Sequence, residues 1–212
     1  MKEKVLSPAL QDYIEENIIP LYKEFDQAHQ VDHAITVIHE SLVLAQHYDV
    51  DINMVYTIAA FHDTGLKGGR EHHHTLSAEI IRQDNFLKGV FNELQINVMA
   101  EAAEDHRASS NHPPRSIYGC IVAEADRLID AHTIVRRAVE YGLSYYPKLD
   151  KQGHYKRFVA HMKEKYAEGG YMKLWIPESK NVIHLKEFRE ILRNEAMTKA
   201  LFEREWYSLV YG

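Results

Sequence analysis

The chain has 212 residues, 45% of them hydrophobic and 26% charged, with a formal net charge of −6. That length supplies one large domain, or a domain with an extension, and enough apolar material for a core. The acidic balance argues against a stable nucleic-acid partner. No apolar run approaches the roughly 20 residues of a membrane span, and the N-terminal segment lacks a signal-like apolar stretch. The single cysteine, Cys120, excludes an intrachain disulfide and fits a reducing compartment, so a cytoplasmic protein is expected.

Helical periodicity runs through most of the chain. Ser7-Pro8 reads as a helix start, with serine as cap and proline in the first turn, and that helix is expected to run to about residue 28. Val31-Asp32 opens a second helix, in which the apolar residues Val31, Ile35, Val37, Ile38, Leu42 and Ala45 recur, mostly at three- and four-residue steps. Asp51 caps a third, which ends at His62-Asp63-Thr64-Gly65 with the glycine as a stop. Gly68-Gly69-Arg70 is a loop. Helices are expected over about 75–88 and 93–106, followed by a break at Asn111-His112-Pro113-Pro114. Further helices read as 116–131, 132–144, 152–167 and 183–207, with a strand or loop over 171–179. The fold class is therefore all-α: a helical domain over residues 1–145 and an aromatic-rich helical extension over 146–212, packed on the same core.

Fourteen histidines make their positions the next question, because imidazole is both a metal ligand and an acid–base group. His62-Asp63 ends a strongly apolar helix, where partly negative carbonyls favour a nearby cation. Taken alone, the pair reads better as an ordinary helix end, a histidine followed by a terminating glycine. Asp126 shares an apolar helical stripe with Gly119, Val122, Ala123 and Ile129. A carboxylate there needs a cationic partner, either a metal ion or an arginine. His33 begins one helix, His106 ends another, and His73 lies in the run His72-His73-His74 just before a third.

The ordered set His33, His62-Asp63 and Asp126 resembles the HD-domain superfamily of helical metal-dependent phosphohydrolases. Ala59-Ala60-Phe61-His62-Asp63-Thr64-Gly65 is similar to the family's core motif, and Glu124-Ala125-Asp126-Arg127 to the motif holding its last aspartate. The resemblance covers about residues 25–135. His73-His74-Thr75-Leu76-Ser77-Ala78 and Asp105-His106-Arg107 resemble two further motifs of members that hold two metals. In the first, the ligand precedes a small residue by four positions, which selects His73. The resemblance thus implies an HD-domain helical bundle and six ligands, His33, His62, Asp63, His73, His106 and Asp126, with Asp63 bridging two ions and serving catalysis. Where many members carry lysine after the motif glycine, this chain has Leu66, with Lys67 one place later.

The resemblance implies hydrolysis of a nucleotide or related phosphoester by metal-activated water. Mixed imidazole and carboxylate ligands suit a divalent transition metal, iron or manganese first, with cobalt, nickel, zinc or magnesium as alternatives. Lys67, Arg70, Arg107 and Arg115 lie near the ligand motifs and are candidate phosphate-binding groups. The expected partner is a small phosphorylated, nucleotide-like substrate, and the last helix leaves a homodimer open. Two other readings fit the same ligands: an HD-type di-iron oxygenase and a non-catalytic nucleotide-binding module. The cluster of Tyr141, Tyr145, Tyr146, Tyr155, Phe158, Tyr166, Tyr171 and Trp175 reads first as core.

Overall fold

A computed structural model describes residues 5–25 and 29–212. The described residues form eleven α-helices and no strand. They divide into two compact units. The first reaches Arg127 and takes in Trp175–Ser179; the second comprises Leu128–Leu174 and Lys180–Gly212. The division falls at Arg127–Leu128, earlier than the composition shift near 145.

In the first unit, α1 (Pro8–Asn17) leads into a 3-10 helix (Ile19–Glu24), followed by α2 (Val31–Ala45) and α3 (Ile52–Phe61). A second 3-10 helix (Thr64–Gly68) precedes α4 (His73–Gln83), α5 (Asn85–Val90), α6 (Glu93–Asp105) and α7 (Ile117–Asp126). Helix α2 packs on α3 and α7, and α6 packs on α3, α4 and α7. Nine of the ten residues of α3 are buried, so it is enclosed on all sides. Val37, Val55, Ile58, Phe61, Ile81, Met99, Ile121 and Val122 lie in the shared core. The coil Trp175–Ser179 is tied to this unit: the buried Glu124 accepts the Trp175 N–H at 2.7 Å, and Tyr48 donates to Glu178 at 2.6 Å.

The second unit holds α8 (Ala131–Tyr145), α9 (Lys151–Tyr166), α10 (Asn181–Arg193) and α11 (Glu195–Tyr211). Helix α8 packs on α9 and α11, and α10 on both α9 and α11. Its interior is aromatic. Phe158 meets Phe202, and Tyr166 meets Phe188, each with ring centroids 5.2 Å apart.

Several boundaries differ from the sequence reading, for local reasons. The first helix stops at Asn17 because Pro20 lacks an amide proton, and the chain tightens to a 3-10 turn. Its expected end near 28 falls outside the described residues. One helix expected over 75–88 is two, split where the Asp84 side chain leaves α4 and caps α5 through the Leu87 N–H. The last helix is likewise two, because Asn194 caps α11 through the Met197 N–H. Helix α7 ends at Asp126 rather than 131, and 171–179 carries no strand. Gly65 is not a left-handed stop; that conformation belongs to Gly69, at φ 97°.

Candidate metal centre

Five helix ends supply the six expected ligands. His33 lies in the first turn of α2 and His73 opens α4. His62 and His106 are the residues that close α3 and α6, and Asp126 ends α7. Asp63 follows His62 directly. Three of these ends are helix C-termini, whose partly negative carbonyls favour a nearby cation. Gly65 brings α4 in: a Cβ there would stand 2.0 Å from the His73 carbonyl oxygen, while the Gly65 N–H donates to Ser77 Oγ at 2.9 Å.

Four imidazoles surround Asp63, whose side chain is 3% exposed. Its two oxygens face different partners. Oδ2 lies 3.2 Å from His62 Nε2 and 3.6 Å from His33 Nε2. Oδ1 lies 3.4 Å from both His73 Nε2 and His106 Nε2. Asp126 Oδ1 joins the first group, 3.2 Å from His33 Nε2 and 3.8 Å from His62 Nε2. Two groups of donors that could each hold an ion, His33-His62-Asp63 and Asp63-His73-His106, share this carboxylate.

The family-model comparison matches residues 31–130 to the HD domain. Residues 31–130 are an HD domain. Among solved structures, a predicted HD superfamily hydrolase from an uncultured Thermotogales bacterium has a similar fold, with a TM-score of 0.50 and 23% identity. The alignment covers 74% of this chain and 88% of that one. The search of curated proteins found no match.

Hydrogen bonds in the HD domain decide which imidazole nitrogen is free. His62, His73 and His106 each place Nδ1 against the carbonyl oxygen three residues earlier, Ala59, Arg70 and Ala103, at 2.7, 2.8 and 2.5 Å. A carbonyl only accepts, so each Nδ1 carries a proton and Nε2 is the nitrogen left as donor atom for a metal. His73 and His106 then face each other Nε2 to Nε2 at 3.2 Å, and His33 and His62 at 3.3 Å. Two lone pairs at that distance repel unless a cation lies between them. Donors about 2.1 Å from a shared ion stand about 3.0–3.4 Å apart, so the donor set fits a metal.

Without an ion, protons take that role. Burial works against charge on His33, yet the carboxylates of Asp126 and Asp63 outweigh it and raise its pKa to about 9. Burial also opposes charge on His106, and Asp63 reverses the balance upward. Burial and the His106 charge push His73 down to about 4. Burial would raise Asp63, but the charge on His62 and hydrogen bonds from His106, His33 and His62 hold it well below the usual carboxylate range.

The four basic candidates separate. Lys67 and Arg70 are exposed and line a cavity of about 290 Å³ with Glu24, Phe25, Leu66 and Gly69. Arg107 donates to the Glu71 carbonyl at 3.0 Å, across the mouth of the loop before His73. Arg115 is differently engaged. Its guanidinium pairs with Asp105 at 2.7 Å and Glu104 at 2.7 Å, and its N–H also bonds Asp105. That saturation makes it a clamp on the residue before His106, not a group turned to a phosphate.

Sequence reasoning missed two supports of the HD domain. The buried Tyr22 hydroxyl donates to the Ala60 carbonyl and accepts the Asp63 N–H at 3.3 Å. Asp105, equally buried, is the anchor for Arg115. One signal was available: Ala59-x-x-His62 and Ala103-x-x-His106 share a spacing, and both rings use it to bond back to the alanine carbonyl. Asp126, expected in an apolar stripe, keeps 24% of its side chain exposed.

Proposed function

We propose that this protein is a metal-dependent phosphohydrolase acting on a nucleotide or related phosphoester. The partition of the two Asp63 oxygens between two histidine groups carries the reading. A bridging carboxylate with separate nitrogen donors on either side is the arrangement a pair of ions requires. The name of the solved HD superfamily hydrolase agrees with hydrolysis.

His33, His62 and Asp126 would hold one ion, His73 and His106 the other, and Asp63 both. Iron or manganese suits these ligands best. Such a pair supplies Lewis acidity toward a phosphoryl oxygen and makes water nucleophilic at neutral pH. The chain's own residues do the rest. Carbonyl bonds from Ala59, Arg70 and Ala103 fix the imidazole tautomers, and Tyr22 holds the Asp63 backbone. Lys67, Arg70 and Arg107 offer the positive charge for substrate phosphate, and the exposed edge of Asp126 leaves an approach.

The test pairs metal analysis with a panel of nucleotides and phosphomonoesters, comparing wild type with Asp63→Ala. Metal-dependent release of phosphate or nucleoside, reduced at least a thousandfold in the variant, is expected. Equal activity in both proteins would overturn the reading. So would substrate-dependent oxygen consumption without hydrolysis, which would assign an oxygenase, or tight nucleotide binding without turnover in metal-loaded protein.

A further inference from the structure

The second unit differs from the rest of the chain in charge. It carries fifteen lysines and arginines against ten aspartates and glutamates, about +5, although the whole chain is −6. The first unit is therefore strongly acidic, and the basic character is concentrated on α8 to α11.

That excess charge meets a group of exposed aromatic rings at the end of α8. Arg137, Tyr141 and Tyr145 follow one another at four-residue steps along α8 and are all exposed. Tyr141 and Tyr145 stack with centroids 4.3 Å apart at 24°. Tyr146 lies 6.3 Å from Tyr141, and the exposed Lys148 follows Pro147. The three tyrosines are 45%, 65% and 45% exposed. Core tyrosines of this unit, such as Tyr166, are closed off, so burial does not account for these.

Arg157 on α9 sits among them, its guanidinium 5.6 Å from the centroids of both Tyr141 and Tyr146. Its Nη2 donates to the Ala138 carbonyl, and its Nε is buried without a hydrogen-bond partner. Among the described residues no carboxylate pairs with it. The nearby Glu140 is taken by Arg136 at 3.1 Å, and Asp150 caps α9 through the Gly153 N–H. A half-buried cation left unneutralised, under rings open to solvent, calls for an anionic group that also presents flat faces.

We infer that this face of the second unit binds single-stranded nucleic acid, with bases stacking on Tyr141, Tyr145 and Tyr146 and backbone phosphates meeting Arg157, Arg137 and Lys148. Stacking on exposed aromatics flanked by cations is a sequence-tolerant way to hold a strand. Duplex offers the charge but keeps its bases stacked internally. An acidic protein surface offers charge but no repeated flat faces. The inference stands apart from the metal centre, and none of these residues belongs to it.

The test uses full-length protein in EDTA with fluorescein-labelled 20-nucleotide oligo(dT) and oligo(U), read by anisotropy at two salt concentrations. Binding that weakens with salt is expected, and a duplex of equal length should bind at least tenfold more weakly. Tyr145→Ala changes a largely solvated ring and should weaken the strand about tenfold with an unchanged melting temperature. Arg157→Gln should lower the salt slope by about one. Asp63→Ala should bind as wild type does. Binding lost in Asp63→Ala would mean the strand was held as substrate at the metal centre, and would overturn the inference. So would the absence of strand binding at low salt, duplex binding as tight as single strand, or a homodimer that Tyr145→Ala dissolves.

Discussion

Asp63 owes its effect to two properties of a carboxylate: it has two oxygens, and it becomes costly to bury without a partner. Both oxygens meet imidazole nitrogens, and ionisation is held in place by those rings. His33 adds a pH signature. Its pKa near 9 in the metal-free protein exceeds the ordinary 6.5, so its proton stabilises that state fully below about 6.5, and the contribution fades as pH rises through 9. A metal needs the neutral ring, so uptake at pH 7 displaces that proton and affinity falls as pH drops. Calorimetric titration in two buffers of different ionisation enthalpy should show proton release; identical heats would contradict it. Arg115→Ala leaves the buried Asp105 charge short of its main partner, while the backbone N–H remains. With Arg115 partly exposed, a loss of about 2–3 kcal/mol in urea unfolding is expected. The six candidate ligands were legible as residue types in order. What they needed from neighbours was not: Tyr22 and Asp105 lie far from, or inconspicuously beside, the residues they support, and side-chain engagement alone distinguished Arg115 from Arg107.

At the scale of elements, the site is an arrangement of helix ends around one enclosed helix. Helix α3 was easy to read because almost every position is apolar, and the structure buries nearly all of it. The HD pair therefore leaves a rigid support. Shorter-range decisions were harder to see. Pro20, Asp84 and Asn194 each end a periodic run that continues in pattern but not in backbone, because a missing donor or a capping side chain outweighs apolar spacing. Gly65 was visible as a glycine, but its reason is the approach of α4 and not chain reversal. Gly65→Ala should therefore push His73 away from Asp63. Expected are a melting temperature lower by several degrees, since the Cβ would meet backbone atoms at 2.0 and 2.7 Å, and weakened binding of one ion only. A variant with unchanged melting and metal content would show that α4 can yield without cost.

For the whole molecule, the fold class followed from periodicity, while the division into units did not. Composition placed a boundary near 145, but contacts gather α8 with the later helices and return Trp175–Ser179 to the first unit through Glu124 and Tyr48. Long-range bonds of this kind leave no local pattern. Charge divides along the same line, acidic around the HD domain and basic beyond it, which the net value of −6 conceals. No described helix is long and apolar enough to cross a membrane. The proposed function rests on one carboxylate that would join two separate ion sites. Anomalous diffraction from manganese-loaded crystals, supported by metal analysis in solution, tests it most directly. Two peaks flanking Asp63 are expected in the wild type, a single peak beside His33 and His62 in His106→Ala, and none in Asp63→Ala. One peak in the wild type, or two that persist without Asp63, would contradict it.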